Sequence, residues 1–566
     1  MQFLKDLICD YGIQFSQPYR VGQVNEKLRQ FFQKDEVNFV AIDGTCSADP
    51  FSDFMVFFAA AYGVRGKIHI QSSRLAYERW SMDQDVSLVA YVPVPYAQSG
   101  DVTDSEYETF TVDDRARINL SSIHTRLMQL AEIYLAYELA RSPLLSGPNL
   151  ILMDLSLSSV MMSTEGYLEK VRLFGHPLGS RRLRFEDGLV VYAHPFSDAV
   201  GVPTLKRYQR WAYLVKALAG ERERKISFHE LCARTGLSER EWATTLHQPF
   251  TQRLVSVRNA EIEAKFDFSA SWYDSVRLFE DFCDRLFHRR EAEALLYPIE
   301  NESGRTMRWM SPEDVSFLVS IGIRALIEQC WEKNILLLGI SKDSASSYFS
   351  RQYIGVLREC GAFPSVAAKP LPWTDRMLLE SLSAQLDDLS APWATTEFDS
   401  VFMSLRVEEV DGKREIRGNR GNIVNRERVF ARSLAQFFKQ TRGRKPLMGH
   451  VIFIDRLVSP RLDRQFLSSL DGPVIQSAEL GKIRPVHFGT NAGENEGQLL
   501  SIWLLKILTR NLFPEIIGYP DPLHKADWGA KSVRRRVDRL IKSSEITFRS
   551  RPLTKTFREI RDSAGR

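Results

Sequence analysis

Two short apolar runs of this chain each end in an aspartate. In the first, Val37 to Ser47 (VNFVAIDGTCS), the apolar residues predict a buried strand that ends at Asp43 and turns away through Gly44. The second run, Pro148 to Asp154 (PNLILMD), has the same form. Asp-Gly is a common turn dipeptide, so the first run alone is open to a turn interpretation. A carboxylate at a strand end is also well placed to bind a cation.

The segments between these two runs suggest a fold. Lys67 to Gln71 and Val86 to Val92 are strand candidates, and Asn119 to Arg141 has the periodicity of a helix. Phe51 to Val64 is dense in Phe and Ala, and we interpret it as a buried connection. The order is strand with Asp, strand, strand, helix, strand with Asp. It predicts an α/β fold, with an RNase H-like mixed sheet core flanked by helices and carrying helical insertions.

The predicted helix carries a candidate third carboxylate. A strand over 149–154 rises about 16 Å at 3.3 Å per residue, and an antiparallel helix needs about eleven residues to cover that height. Counting back from Arg141 reaches Glu132, which interrupts an otherwise apolar stripe. A buried carboxylate is costly unless a cation neutralises it. We therefore prefer Glu132 over Glu138, which lies on a more polar face.

Two later segments add polar candidates. Asn334 to Ile340 (NILLLGI) predicts another buried strand, which delivers Lys342 at its end, either to hold a phosphate or water or as a solvated loop charge. Gly518 to Ala530 (GYPDPLHKADWGA) predicts a helix capped by Asp521, on which Asp527 interrupts an apolar face.

The four carboxylates Asp43, Glu132, Asp154 and Asp527 fit a two-metal phosphodiesterase. Two divalent ions about 4 Å apart must be bridged by acidic oxygens, while one ion activates water and the other stabilises the leaving oxygen. The sequence has no Walker A loop, no G-x-S-x-G elbow and no dinucleotide fingerprint after a strand.

The composition indicates a globular protein. The 566 residues, 44% hydrophobic and 26% charged, are typical of a globular chain. Six scattered cysteines without a CxxC pair argue against a zinc ribbon or a disulfide framework. We expect a cytoplasmic protein with no signal peptide and no membrane span.

The net charge is only +4, but basic residues concentrate in two segments, Lys413 to Lys445 (which includes Arg432) and Lys531 to the end. Such patches bind a phosphate backbone or form a solvated surface. The DNA-binding candidates are Arg417, Arg420, Arg426, Arg428, Arg534, Arg535 and Arg536.

The domain prediction has five parts: a helical segment over 1–36, an RNase H-like core in two parts over 37–220 and 311–545, a helical insertion over 221–310, and a basic tail over 546–566. Within the insertion, Ile226 to Leu246 is open to two interpretations, a helix-turn-helix or an ordinary helical hairpin.

Together the motifs resemble the NurA nucleases, partners of the HerA hexameric ATPase. The matching stretches are AIDGTCS at Asp43, LMDLSLSS at Asp154, LLLGISKDS at Lys342 and GYPDPLHKAD at Tyr519 through Asp527. They follow the family's order and span about residues 37 to 545.

The resemblance implies an RNase H-like fold, DNA cleavage dependent on Mn²⁺ or Mg²⁺ in a two-metal site, a homodimer, and a HerA-like ATPase partner in DNA end processing or anti-phage defence. Asp43 and Asp154 match the family's metal aspartates, Glu132 its helix glutamate, Lys342 its lysine after the middle strand and Tyr519 its final tyrosine.

The sequence departs from the family pattern in three places. Thr45 stands where DGS is usual, Leu155 stands where glycine is common, and Asp527 stands where many members have histidine. Two other functions therefore stay open: a non-catalytic DNA-binding scaffold subunit, and another RNase H-like nuclease of the resolvase or transposase kind.

Overall fold

A computed structural model gives the fold. It describes residues 14–15, 21–50, 54–70, 75–95, 101–103, 122–143, 146–194, 204–221, 224–235, 237–301, 304–342, 345–361, 372–384, 393–418, 423–424, 429–441, 444–463, 475–477, 481–483, 495–509 and 518–549.

The helices in these residues are α1 (Val21–Phe32), α2 (Ile123–Arg141), α3 (Leu157–Thr164), α4 (Phe185–Ala193), α5 (Lys206–Ala219), α6 (Phe228–Thr235), α7 (Glu239–Leu246), α8 (Thr251–Leu254), α9 (Phe268–Cys283), α10 (Pro312–Glu332), α11 (Ile354–Glu359), α12 (Asp375–Ala384), α13 (Glu496–Leu508) and α14 (Asp521–Arg549).

The strands are β1 (Gln14–Phe15), β2 (Glu36–Pro50), β3 (Phe54–Ile70), β4 (Leu75–Arg79), β5 (Val86–Pro95), β6 (Asp101–Thr103), β7 (Leu150–Met153), β8 (Pro177–Leu178), β9 (Arg181–Arg182), β10 (Thr204–Leu205), β11 (Lys225–Ser227), β12 (Val255–Arg258), β13 (Glu261–Ala264), β14 (Leu296–Asn301), β15 (Gly304–Trp309), β16 (Leu336–Ser341), β17 (Trp393–Asp399), β18 (Leu405–Val410), β19 (Lys413–Gly418), β20 (Ile423–Val424), β21 (Phe430–Thr441), β22 (Arg444–Leu457), β23 (Ile475–Ser477) and β24 (Gly481–Ile483).

A ten-stranded mixed sheet organises the chain. Its order is β1-β17-β21-β22-β16-β7-β2-β3-β4, and β5 also pairs with β3. β2, β7 and β16 run parallel to one another, whereas β2 with β3 and β3 with β5 are antiparallel. Part of this order, β5-β3-β2-β7-β16, is that of an RNase H-like core. Along the chain, α2 lies between β5 and β7, as it does in such a core. The predicted α/β fold class is therefore confirmed.

The first hairpin differs from the prediction. The strand does not turn at Gly44 but continues to Pro50, and Phe51 to Val64 belongs largely to β3 rather than to a buried connection. A Gly that follows Asp favours a turn in isolation, but here fifteen consecutive residue pairs of β2 and β3 hold the chain extended. The Phe- and Ala-rich run is buried on both faces, so it lacks the alternation that marks a half-exposed strand.

Helices cover both faces of the central sheet. Alternate residues of β2 point in opposite directions. Val40 and Ile42 join the apolar cluster that includes α2 and α10. Phe39 and Ala41 join the cluster that includes α1 and α13, together with Tyr519 and Leu523. The strand ends that carry the candidate residues are therefore enclosed from both sides.

The segment from α5 to β13 forms a small unit. Three antiparallel strands in the order β11-β13-β12 pack with α6 and α7, whose connection ends in a capping box between Ser238 and Glu241. A helix pair followed by a β-hairpin, with this strand order, is the arrangement of a winged helix-turn-helix rather than of a plain helical hairpin.

In the part of the chain that the structure describes, no helix has the length and apolar character needed to cross a membrane.

Candidate active site

The two strand-end aspartates are neighbours. Ile42 pairs with Met153 in the parallel ladder of β2 and β7, and the backbone N–H of Asp154 donates to the carbonyl of Ile42 at 3.0 Å. This bond continues the ladder past the end of β7. Asp43 and Asp154 therefore extend from adjacent strands at the same edge, as the two apolar runs predict.

Glu132 approaches this edge through the space that Gly44 leaves open. A Cβ built on Gly44 would lie 2.7 Å from Cδ of Glu132 and 2.7 Å from Cγ of Met128. Any larger residue would therefore displace the Glu132 carboxylate. Glu138, the alternative, has its Oε1 2.7 Å from Nε2 of His288. The structure thus brings Glu132, and not Glu138, to the strand ends.

The acids at this edge disfavour one another's ionisation. Burial raises the pKa of Asp43 to about 7, and the charges of Asp154 and Asp527 add to the effect. Burial also raises the pKa of Glu132 well above its usual range, followed by the charges of Asp43 and Asp154. The backbone N–H of Gly44, which donates to Asp43 Oδ1 at 2.7 Å, acts in the opposite direction on both acids. Bringing a cation here would relieve this repulsion.

Lys342 and Tyr519 complete the same group. Nζ of Lys342 lies 3.4 Å from Oδ2 of Asp154 and 3.5 Å from the hydroxyl of Tyr519, and 4.4 Å from the centre of the tyrosine ring. Burial raises the pKa of Tyr519, and the charge of Asp154 and a hydrogen bond to it raise the pKa further. The phenol therefore stays protonated and can donate. Lys342 is 42% exposed, so it also faces solvent.

Two glycines allow α14 to pack close to the site. Gly518 has a φ of +99°, and a Cβ there would lie 2.8 Å from the Phe437 ring, so the turn into Tyr519 requires glycine. Further along α14, a Cβ on Gly529 would lie 2.4 Å from the Tyr62 ring, which lets the helix lie close to β3. Asp527 is placed within electrostatic range of Asp43, and it also pairs with Lys531 at 2.7 Å.

A fifth acid, which the sequence analysis did not identify, holds the turn after Asp154. Asp455 on β22 accepts hydrogen bonds from the hydroxyls of Ser156 and Ser158, both at 2.6 Å, and from the backbone N–H of Ser158 at 3.1 Å. Its other oxygen lies 3.2 Å from Nη1 of Arg432. These bonds fix the start of α3, whose N-cap Ser156 lies two residues beyond Asp154.

A signal for Asp455 was present in the sequence. It follows the apolar run VIFI in the same way that Asp43 and Asp154 follow theirs. Close contact also shapes this turn, because a Cβ on Gly339 of the neighbouring strand would lie 2.5 Å from the carbonyl oxygen of Leu155.

The predicted DNA-binding arginines have different surroundings. Arg534, Arg535 and Arg536 are exposed on α14. Arg417 is half-buried and pairs with Glu415 at 3.2 Å. Arg420, Arg426 and Arg428 lie outside the described residues. Arg432, within the same basic segment, is buried against Asp455 and is not part of a DNA-facing surface.

The donor set suits a hard divalent cation in chemistry and charge. Carboxylate oxygens are the ligands that Mg²⁺ and Mn²⁺ prefer, and among the described residues Glu132 has no ion pair with a lysine or arginine. As placed, however, no three His, Cys, Asp or Glu side chains of the described residues are arranged to hold a metal ion together. Like charges repel, so we expect the carboxylates to turn toward a shared cation only when one binds.

Comparison with solved structures gives a likeness over most of the chain. The structure is similar to the crystal structure of the NurA nuclease from Sulfolobus solfataricus, with 12% identity, a TM-score of 0.32 and coverage of 90% of this chain and 84% of that one. It is also similar to a NurA structure with manganese (11% identity, TM-score 0.29, coverage 92% and 95%) and to one bound to dAMP and manganese (10%, 0.25, 77% and 83%). No family model and no curated protein matches the sequence, so the likeness found by comparison is one of structure.

Proposed function

We propose that this protein is a metal-dependent DNA nuclease of the NurA type. The observation that carries the proposal is the convergence of Asp43, Asp154 and the buried Glu132 at the ends of two parallel strands, where burial and the neighbouring carboxylates raise the pKa of Asp43 and of Glu132. Such a group is costly to fold, and a bound metal ion would offset the cost.

Each residue has a role in this proposal. Asp43, Glu132, Asp154 and Asp527 would hold Mn²⁺ or Mg²⁺, which would supply an activated water and stabilise the leaving oxygen in a two-metal site. Lys342 would bind a non-bridging phosphate oxygen; its partial exposure and its position beside Asp154 support this role. Tyr519 would donate a hydrogen bond toward the same phosphate, a role that its raised pKa supports.

The test is cleavage of end-labelled linear DNA, single- and double-stranded, with Mn²⁺, Mg²⁺ or chelator. Glu132→Gln should abolish the metal-dependent shortening, whereas Glu138→Gln, a matched change on the same helix, should leave it within about twofold. Equal activity in both variants would contradict the site. The lengths of the labelled products at successive times report whether cleavage is exo- or endonucleolytic.

A non-catalytic DNA-binding subunit is the second candidate. It is favoured by the absence of a three-ligand group among the described residues and by the pairing of Asp527 with Lys531. This candidate predicts salt-dependent DNA binding without cleavage in any metal, and no change of binding in Glu132→Gln.

The partners follow from the motif resemblance. We infer a homodimer that works with a HerA-like hexameric ATPase in DNA end processing or defence against foreign DNA. Light scattering of the purified protein measures its oligomeric state, and copurification with an ATPase encoded beside it tests the partner. A monomer that does not bind such an ATPase would contradict both.

A further inference from the structure

Helix α14 carries an exposed aromatic and basic face that starts beside the carboxylates. Trp528 directly follows Asp527 and is 59% exposed. Lys531, Arg535 and Arg539 follow at spacings of three, four and four residues, so they share its side of the helix, and all are exposed.

Charge along this face is strongly one-sided. Between 531 and 539 the helix has five basic residues and a single acid, Asp538, which pairs loosely with Arg534 at 4.0 Å. The opposite, apolar face already packs against the protein: Leu523, Ala526 and Ala530 are buried, and each is at most 1% exposed. A basic helix that binds a membrane surface would need that apolar face free.

The same charges argue against a second copy of the chain as the occupant. A two-fold contact would place this face against itself and bring two basic helices together. A nucleic acid strand supplies the complementary charge along its whole length.

We propose that this face of α14 is a binding track for single-stranded DNA, on which Trp528 stacks a base and Lys531, Arg535 and Arg539 contact phosphates along the same strand. The proposal rests on the function proposed above and names the form of DNA that the site takes. From Trp528 to Arg539 the helix rises about 16 Å, enough for about five nucleotides at 3.4 Å each. An indole face binds unpaired bases of any sequence, but the bases of a duplex are stacked inside it and cannot reach Trp528.

The experiment measures binding in chelator, so that it does not depend on cleavage. The full-length chain carrying Trp528→Ala or Trp528→Phe is titrated into a labelled 20-nucleotide oligo-dT and, separately, into a labelled blunt duplex. Trp528→Ala should weaken oligo-dT binding by about 5- to 150-fold, the range for loss of one stacked base. Trp528→Phe keeps a ring and should stay within about threefold of the parent. Duplex binding should change less than about twofold.

Two controls separate a specific loss from a general one. Trp373 is another exposed tryptophan (70%), stacked over Arg351 at 3.9 Å, and Trp373→Ala should leave oligo-dT binding unchanged. The pair Arg535→Gln and Arg539→Gln should lower the slope of log affinity against log salt by about 1.4, at 0.7 per phosphate contact on a single strand.

Each outcome decides the proposal. Unchanged oligo-dT binding in Trp528→Ala, an equal loss on the duplex, or conversion of an oligomer into a monomer would overturn it. The last result would make this face a contact between copies. If the parent does not cleave DNA but Trp528→Ala loses oligo-dT binding, the track stands and the nuclease fails. If the parent cleaves DNA and Trp528→Ala binds oligo-dT normally, the nuclease stands and the track fails.

Discussion

Two groups of buried acids each include a residue of the central sheet, and they differ in their supply of positive charge. Glu397 and Asp463 both pair with Arg456 at 2.7 Å, and all three side chains are at most 1% exposed. Burial lowers the pKa of Arg456, but the charges of Asp463 and Glu397 outweigh burial and raise it. At the candidate site, Asp43 and Glu132 have no such cation in contact among the described residues, and their pKa values rise. The acids of the first group are neutralised by an arginine within the fold, and we propose that those of the second are neutralised by a bound cation.

Removing the cation from each group gives the largest expected contrast. Arg456→Met should lower the free energy of unfolding by about 3–5 kcal/mol, because it leaves two buried acids unpaired. Lys342→Met should lower it by less than about 1 kcal/mol, because Lys342 is partly exposed to solvent and its pair with Asp154 is screened, while DNA cleavage falls. Urea unfolding followed by tryptophan fluorescence measures both. Equal stability losses would remove the distinction between the two groups.

A pH titration sharpens the same contrast. The pKa of Asp43 rises from 3.8 to about 7 on folding, so between these values the folded chain keeps a proton that the unfolded chain has lost. Stability should therefore fall as the pH rises through this window, by at most about 4 kcal/mol. We expect the free energy of unfolding in chelator to drop less between pH 5 and pH 8 in Asp43→Asn than in the parent. Superimposable pH profiles would contradict the assignment.

A change at Gly44 tests how the site is packed. Gly44→Ala places a methyl group against Glu132 and Met128 and should cost about 1–3 kcal/mol of stability, because both side chains have to move to make room for it. The cost should shrink in a Glu132→Ala background, where the carboxylate is gone. A double-mutant cycle on unfolding free energy measures this coupling. Additive losses would show that Gly44 does not make room for Glu132.

The smallest expected effect concerns the turn after Asp154. Ser158→Ala removes one hydrogen bond to Asp455 and should cost about 1 kcal/mol, with a modest loss of cleavage as Asp154 loses support. Ser163→Ala on the exposed end of the same helix is the matched control. A Ser158 variant with the stability and cleavage rate of the control would mean that Asp455 does not support Asp154.

Much of the site follows from local sequence patterns. Asp43 and Asp154 are recognisable because an apolar strand and its final acid are adjacent in sequence, and Glu132 because it breaks a helical stripe. The role of Gly44 was not recognisable, since it depends on a helix about ninety residues later in the chain. A local pattern there favours a turn, and tertiary packing overrides it.

The remaining misses have the same physical origin. Asp455 carries the same strand-end pattern as the catalytic candidates, but its antiparallel strand takes it to Ser158 and Arg432 rather than to Asp43 and Glu132. The pattern reports that an acid ends a strand, and only the pairing of strands decides which edge it reaches. The winged arrangement after α5 likewise needs the register of β11, β13 and β12.

The wide separation of the site along the chain affects how the protein is made. Asp43 lies on β2, whereas Tyr519 lies two residues before α14 and Asp527 lies in its second turn. A chain still emerging from the ribosome has its aspartates but not the helix that completes their surroundings. Synthesis itself would then keep the proposed nuclease inactive until α14 has folded back onto β2 and β3. A protease that removes α14 by a single cleavage would likewise inactivate the folded protein.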